Sequence, residues 1–245
     1  MEFMLLVEDW RGEAPRARVS PEEMAKFGRE LAERGVLRGS AGPLRPDAEA
    51  VRVQVRNGRS IVTHGPFAEA GAVAGGYFVV DVADRAAAIE VAKSCPYARA
   101  GVIEVRSMRY GSRSETFRSQ SELEATRRAA RSPQFLFLYV LDPEATGPEE
   151  PRVAKMMAAT DELRRQGKHL AGARLPPEVP AARVEIRAEK VLVHDGPFAE
   201  TKEVIGGFAL IRAADRAEAI EIAKSMPHSG WGTTEVREVG RRGAQ

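Results

Sequence analysis

Residues 56–108 read RNGRSIVTHGPFAEAGAVAGGYFVVDVADRAAAIEVAKSCPYARAGVIEVRSM, and residues 187–239 read RAEKVLVHDGPFAETKEVIGGFALIRAADRAEAIEIAKSMPHSGWGTTEVREV. The two stretches align without a gap and agree at about half of their positions. Agreement over such a length indicates a tandem repeat. We therefore divide the chain into a first copy, residues 1–108, a linker, residues 109–133, and a second copy, residues 134–240.

The front of each copy repeats more loosely. Met4–Val7 aligns with residues 135–138, and both are apolar runs of strand length. Helical patterns follow at 21–34 and 151–166, the first with Ser20 as a candidate cap before Pro21. A one-residue gap is expected near Gly35 and Gly167.

The remaining pattern is mostly strand. Residues 51–55 alternate strictly, and Asn57-Gly58 predicts a hairpin with a type I′ turn. Strands are expected at 77–82 and 102–106, with an Asp84-capped helix between them.

If the hairpin is set aside, the order is β-α-β-β-α-β, which predicts an α+β, ferredoxin-like domain with both helices on one face of its sheet. The other face is left open. Because two copies can cover each other's open faces, we expect an intramolecular pseudo-dimer.

The linker, residues 109–133, is rich in arginine, and Ser121–Ala130 could form a short helix. It is either a solvated connection or a basic arm that docks a partner.

Bulk properties exclude several classes of protein. Among 245 residues the formal net charge is only +2, so direct nucleic-acid binding is not expected. The single cysteine, Cys95, cannot form an intramolecular disulfide and is read as a buried apolar residue of a cytoplasmic protein. No signal peptide, membrane span, metal-ligand spacing or phosphate loop is recognised, so no cofactor is expected.

The densest local signal is HDGPFAETKE at residues 194–203, followed by Gly206-Gly207. The opening strand, Ser-Pro-Glu-Glu-Met at 20–24, this loop, the double glycine and a closing Glu-Val-Arg resemble the YCII-related proteins, in the branch with an Asp-Gly-Pro-Phe motif. The resemblance covers nearly the whole chain, twice.

The resemblance implies ferredoxin-like domains assembled as dimeric α/β barrels, and no settled activity. Some relatives look like small enzymes of aromatic or halo-aromatic breakdown. Others are encoded beside, or fused to, extracytoplasmic-function sigma factors. The enzyme-like relatives carry a histidine on the first helix. The corresponding positions here are near Met24 and Met156, so that histidine is missing.

The two copies differ at the signature loop. The first copy has His64 where the second has Asp195, and it lacks the following lysine and second glutamate. We therefore expect any site to lie near the second loop. The expected ligand-binding residues are Asp195, Gly196, Pro197, Phe198, Glu200, Lys202, Gly206 and Gly207.

Asp195 and His64 are the candidate catalytic residues, paired across the pseudo-dimer. The alternative is that the loop has only a structural role, as a lid. Asp195 would then accept hydrogen bonds from loop N–H groups, Phe198 would anchor the loop in the core, and the double glycine would mark a bulge. His169 and His228 are expected at the surface.

Two functions remain open at this stage. One is a small-molecule module, catalytic or only binding, with its pocket near Asp195. The other is a regulatory module that binds a protein, such as a sigma factor. Neither an activity nor a ligand follows from the sequence, and a further homodimer stays open.

Overall fold

The computed structural model of the chain describes residues 1–10, 17–67, 72–109, 132–143, 149–177, 179, 181–196 and 204–240. Nearly all of the linker, including the helix expected at 121–130, lies outside the described residues. The same holds for Pro197, Phe198, Glu200 and Lys202 of the signature loop.

Within the described residues, each copy has six strands and two α-helices in the same order. The first copy has β1 (Glu2–Trp10), α1 (Pro21–Glu33), β2 (Leu37–Pro43), β3 (Val51–Arg56), β4 (Arg59–His64), β5 (Ala72–Asp81), α2 (Arg85–Ser94) and β6 (Val102–Ser107). The second has β7 (Gln134–Leu141), α3 (Glu149–Arg165), β8 (His169–Arg174), β9 (Ala182–Arg187), β10 (Lys190–Asp195), β11 (Val204–Arg212), α4 (Arg216–Ser225) and β12 (Gly232–Glu238).

Local signals account for most of these boundaries. Ser20 and Glu23 form a capping box at α1, and Asp84 caps α2 by accepting from the Ala87 N–H at 2.8 Å. Asn57 and Gly58 both have positive φ, which confirms the predicted turn. The sequence missed β2 and β8, because their glycine-, serine- and arginine-containing segments have low strand propensity.

The hydrogen-bond register also corrects the expected alignment of the first strands. Met4 pairs with Arg106, and Leu136 pairs with Arg237, the residue that matches Arg106. Met4 therefore matches Leu136 and not Phe135. The one-residue gap in the alignment, expected near Gly35, lies instead within β2 and β8. The pairing of β2 with β5 and that of β8 with β11 each show a register shift there.

The predicted hairpins are exchanged between the copies. The first sheet has the order β10-β9-β6-β1-β5-β2, and the second has β4-β3-β12-β7-β11-β8. Four consecutive strands of each sheet belong to one copy and have the ferredoxin-like order. The remaining two are the hairpin of the other copy, paired to β6 or β12. Each sheet is therefore completed by residues from both copies.

The two sheets face each other across a shared apolar layer, and the helices cover their outer faces. The shared layer includes Met4, Leu6, Tyr77, Val79, Leu136, Leu138, Phe208 and Leu210. The mixed α+β character is as predicted. The predicted barrel is not confirmed, because within the described residues neither sheet closes on itself.

Buried ion clusters join each exchanged hairpin to its host sheet. In the first sheet the Glu104 carboxylate accepts from Arg183 Nε of β9 at 3.0 Å and from Arg106 Nη1 at 3.2 Å. In the second sheet Glu235 accepts from Arg52 Nε of β3 and from Arg237 Nη1 at the same two distances. Glu104 and Glu235 with Arg106 and Arg237 are the two closing Glu-Val-Arg motifs of the sequence.

Each cluster also reaches the opposite sheet. Arg106 Nη2 donates to the carbonyl oxygens of Leu175, at 3.1 Å, and Ile205, at 3.0 Å. Arg237 Nη2 donates to the Arg45 carbonyl at 2.8 Å. The two arginines thus tie the sheets together, although the buried Nε of Arg237 has no hydrogen-bond partner.

Glu8 lies buried beside the cluster of the first sheet, and its Oε2 atom has no hydrogen-bond partner. Burial, followed by the charge of Glu104, raises the pKa of Glu8 to about 8, although Arg183 and Arg106 partly oppose the shift. Val140 occupies the matching position of the second copy, as the pairing of β1 and β7 with β6 and β12 shows.

We expect Glu8→Gln to stabilise the protein increasingly as the pH rises. The unfolded carboxyl ionises near its ordinary pKa of 4.5 and the folded one near pH 8, so the wild type loses stability between these pH values and no further above them. The glutamine cannot ionise. Urea unfolding at a series of pH values measures the difference in unfolding free energy. Glu33→Gln, at an exposed position of α1, is the control. A pH-independent difference for Glu8→Gln would contradict the buried, neutral carboxyl.

Candidate ligand-binding site

A cavity of about 390 Å³ lies on the outer face of the second sheet, under helix α3. The helix contributes Val153, Met156, Met157 and Thr160, while strands β7, β8 and β11 form the floor. Most of this lining is apolar. Pockets that bind small molecules fall in this size range and have the same mixture of apolar wall and few polar groups.

Two aromatic rings of the first copy have no counterpart at the matching positions of the second. Helices α1 and α3 end with the same backbone hydrogen bond. In the first copy the Val36 N–H donates to the Leu31 carbonyl, and in the second the Lys168 N–H donates to the Leu163 carbonyl. Leu31 therefore matches Leu163, and four residues earlier Phe27 matches Ala159.

On the sheet, Phe78 pairs with Leu5 as Ala209 pairs with Phe137, so Phe78 matches Ala209. In the first copy Phe27 and Phe78 pack edge to face with ring centroids 5.3 Å apart. In the second copy both rings are replaced by methyl groups, and Ala209 lines the cavity.

Three rings form one wall of the cavity. The centroids of Tyr139 and His228 are 5.0 Å apart, and those of His228 and Trp231 are 6.3 Å apart. The Tyr139 hydroxyl is buried and has no hydrogen-bond partner. Burial raises the pKa of Tyr139, so the phenol stays protonated and can donate to a bound acceptor.

His228 is buried, so its expected place at the surface is wrong. Its Nε2 atom lies 2.9 Å from the Val140 carbonyl oxygen, which can only accept, so this nitrogen carries the hydrogen. Burial lowers the pKa of His228, assisted by the charges of Arg152 and Arg56, while hydrogen bonds to backbone groups of Val140 and Thr233 oppose the shift.

His169 is half-buried on the floor of the same cavity. Burial, followed by the charge of Arg164, lowers the pKa of His169 to about 4, with Asp161 opposing, so the ring is uncharged at neutral pH. Alignment of the two copies could have indicated that both histidines are buried. His169 matches Leu37, which pairs with Val80 as His169 does with Ile211, and His228 matches Tyr97.

Charged groups of the linker and of both copies meet at the cavity. Arg109, the first residue of the linker, lines it together with Arg152, Arg174 and Asp142. Arg56, from the exchanged hairpin, donates to the Asp142 carboxylate at 2.9 Å and to the Gly230 carbonyl at 3.3 Å. The cavity therefore lies in the second copy, with Arg109 of the linker in its lining and Arg56 of the first copy bound to Asp142.

Gly206 and Gly207 form part of the wall. The register of β11 against β7 shifts between Ile205 and Gly207, which confirms the predicted bulge. A Cβ atom on Gly206 would lie 2.5 Å from the Leu141 side chain, and one on Gly207 would lie 3.0 Å from the Ala173 carbonyl oxygen. Both glycines are needed for the close packing of this wall.

Asp195 and His64 are placed on the edge strands of different sheets, β10 and β4. Asp195 is exposed and forms an ion pair with Arg85 at the start of α2 in the first copy. His64 is also exposed, and Arg216, which matches Arg85, donates instead to the Glu49 carbonyl. Within the described residues no contact joins Asp195 to His64, and neither lines the cavity.

The start of the second loop resembles that of the first. The Gly196 N–H donates to the Ala181 carbonyl, and the Gly65 N–H donates to the Ala50 carbonyl. In the first loop Phe67 is buried under Arg52, whose guanidinium carbon lies 4.2 Å from the ring centroid. Phe67 has the anchoring role that the sequence suggested for its match, Phe198.

Met156 lines the cavity with its thioether side chain. The resemblance places the histidine of the enzyme-like relatives near this position. The part of the chain that the structure describes contains no cluster of three or more His, Cys, Asp or Glu side chains suited to a metal ion. It also contains no helix with the length and apolar character needed to cross a membrane.

Comparison with known proteins agrees with the repeat. A sequence model of the YCII-related domain matches residues 1–110 and again residues 134–241. An uncharacterized protein of Rhizobium meliloti (strain 1021), R00369, is 38% identical over 92 residues, which cover 36% of this chain and 74% of that protein. The chain therefore belongs to the YCII-related family, whose domain it matches twice.

Proposed function

We propose that this protein binds a compact, largely apolar small molecule in the cavity of its second copy. The observation that carries the proposal is the cavity itself, one of whose lining residues, Tyr139, has a buried hydroxyl without a hydrogen-bond partner. An unsatisfied buried hydroxyl costs about 1–3 kcal/mol, and an acceptor atom of a ligand would remove that cost.

The divergence of the copies supports the proposal. In the first copy Phe27 and Phe78 pack together between helix and sheet. The second copy has alanine at both matching positions, and Tyr139, His169 and His228 line its cavity. A cavity lowers stability roughly in proportion to its volume, which favours a use for this one.

Two of the ligand-binding residues predicted around the second loop, Gly206 and Gly207, line the cavity. They follow the loop shortly after its end at residue 203. Asp195, Gly196, Pro197, Phe198, Glu200 and Lys202 remain predicted ligand-binding residues, and Asp195 and His64 remain candidate catalytic ones.

We also propose that the two facing sheets act as the α/β barrel implied by the resemblance. Isolated bridges between Leu44 and Val239 and between Arg109 and Arg174 support this arrangement, because each joins the end of one sheet to the other sheet. Such joints hold the cavity wall at Arg174 in a defined position.

A filled cavity should abolish binding without unfolding the protein. The variant Phe137→Leu/Ala159→Phe/Ala209→Phe installs the set Leu5, Phe27 and Phe78 of the first copy. In a thermal-shift screen of small apolar acids, amides and alcohols, a ligand at 100 times its Kd should stabilise the wild type by about 2.7 kcal/mol and leave this variant unchanged.

Phe137→Leu alone is the matched control, because it leaves the cavity open and should keep the response. Equal stabilisation of the wild type and the filled variant by one compound would contradict binding at this site. An unchanged circular dichroism spectrum and a cooperative unfolding transition would show that the triple variant is folded.

The substitution Asp195→Asn tests whether Asp195 only stabilises its loop or takes part in ligand binding or catalysis. We expect a loss of less than about 1 kcal/mol in unfolding free energy, because the pair with Arg85 is largely exposed. Ligand response should be retained. Arg85→Met breaks the same pair from the other side and should give the same small loss. A stable Asp195→Asn protein without ligand response would establish the loop as part of the site.

A further inference from the structure

The exchanged hairpin of the first copy reaches the cavity of the second through one side chain. Arg56 is the last residue of β3, and its guanidinium group has two hydrogen-bond acceptors in the second copy. Nη2 donates to the Asp142 carboxylate at 2.9 Å, and Nη1 donates to the Gly230 carbonyl oxygen at 3.3 Å. Because a guanidinium group is planar and rigid, its two nitrogen atoms fix the distance between these acceptors.

Both acceptors belong to the wall of the cavity or directly adjoin it. Asp142 follows the last residue of β7 and lines the cavity. Gly230 is the last residue of a short 3-10 turn that contains His228 and is followed directly by Trp231. Both of these rings line the cavity. Arg56 therefore joins the part of the wall at the end of β7 to the part formed by this turn.

The matching residues of the other hairpin are arranged differently. Arg187 matches Arg56 in the repeat, but its Nε atom donates to Glu185 of its own strand at 2.9 Å. The acceptor also differs, because Asp142 matches Trp10 in the register established above for β1 and β7. The described residues therefore show this connection at the cavity of the second copy and not at the equivalent place in the first.

The connection contributes little to holding the hairpin on its host sheet. The side chains of Arg56 and Asp142 are 35% and 30% exposed, and solvent screens an ion pair of this kind. Gln54 of the same strand donates to the Thr233 hydroxyl of β12 at 2.7 Å, and the backbone pairing of β3 with β12 remains without Arg56. Removal of Arg56 should thus loosen the cavity wall and leave the hairpin docked.

We infer that Arg56 is a positioning residue for the ligand site of the other copy, and that ligand binding is coupled to the docking of the first hairpin. This inference rests on the proposed function and concerns the regulation of the same cavity. Arg56 holds Asp142 and the turn at Gly230 in the arrangement that the ligand meets. Linkage is reciprocal, so whatever the docked hairpin adds to ligand affinity, the bound ligand adds to the docking of the hairpin.

Neutral probes test the coupling without a contribution from the charge of Arg56. We would titrate the wild type and Arg56→Met with cyclohexanone, benzamide and 2-naphthol by isothermal titration calorimetry. Each probe has an apolar body and an oxygen atom that can accept from the Tyr139 hydroxyl. Arg56→Met should weaken binding of the best probe by about tenfold, because the wall is no longer held in place.

Arg59→Met is the matched control, because it removes the same charge from the same hairpin. Arg59 lies directly opposite Arg56 on β4, its side chain is exposed, and it is outside the described lining of the cavity. The probe should therefore bind this variant as it binds the wild type.

Hydrogen exchange measures the reciprocal effect. At a saturating concentration of the best probe, the amide hydrogens of residues 51–64 should exchange more slowly in the wild type, by up to the factor by which Arg56→Met weakens binding. The matching hairpin, residues 182–195, is the internal reference and should exchange at an unchanged rate. In Arg56→Met the probe should no longer slow exchange in residues 51–64.

The fluorescence of Trp231 separates a positioning role from a merely structural one. The chain has two tryptophans, so Trp10→Phe leaves Trp231 as the single reporter at the cavity. In this background Arg56→Met should increase the quenching of Trp231 by acrylamide before any probe is added, whereas Arg59→Met should not. The urea midpoints of the two variants should be alike.

The outcomes separate this inference from the function on which it rests. Full affinity of Arg56→Met for a probe that the filled variant no longer binds would overturn the positioning role and leave the cavity as the ligand site. Equal losses of affinity in Arg56→Met and Arg59→Met would overturn the role of the two hydrogen bonds. Unchanged exchange of residues 51–64 with probe bound would overturn the coupling. Failure of every probe to bind the wild type would overturn the proposed function itself.

Discussion

A glutamate buried on the last strand of each copy holds the two halves of the molecule together. Glu104 and Glu235 each bind one arginine of their own strand and one arginine of the hairpin supplied by the other copy. A charge taken out of water is tolerated only when it is paired and its remaining hydrogen-bonding capacity is used. Each cluster takes one of its arginines from the hairpin of the other copy, so the two clusters tie the copies to each other.

The exchange explains why one copy can contribute to the site of the other. Arg56 lies on the hairpin of the first copy, yet it contacts Asp142 and Gly230 at the cavity of the second. Arg109, the first residue of the linker, is bridged to Arg174. The cavity is thus built on a scaffold to which both copies contribute.

Duplication within one chain lets the two halves diverge in a way that a symmetric homodimer cannot. Phe27 and Phe78 pack edge to face in the first copy, while alanines stand at the matching positions 159 and 209 of the second, and Ala209 lines the cavity. At the loops, Asp195 pairs with Arg85, whereas His64 leaves Arg216 to a backbone carbonyl. Gly76 and Gly207 keep the same role in both copies, because the neighbouring edge strand approaches each of them closely.

The sequence by itself determined the repeat, the order of most elements and several of their ends. Those features depend on local chemistry: the capping side chains of Ser20 and Asp84, the left-handed turn at Asn57-Gly58 and the alternation of β3. It also identified Gly206 and Gly207 as a bulge. It missed β2 and β8, which are held in place by pairing with β5 and β11 and not by their own propensity.

Only the tertiary structure decided which sheet each hairpin joins and where the cavity lies. Hairpin exchange is a choice between two chemically equal sheet edges, and the contacts that result, such as that of Arg183 with Glu104, join residues that are far apart in the sequence. The cavity likewise depends on residues of helix α3 and strands β7, β8 and β11 that only the fold brings together. Small side chains carry no sequence signal of empty space, since the space is a property of their neighbours.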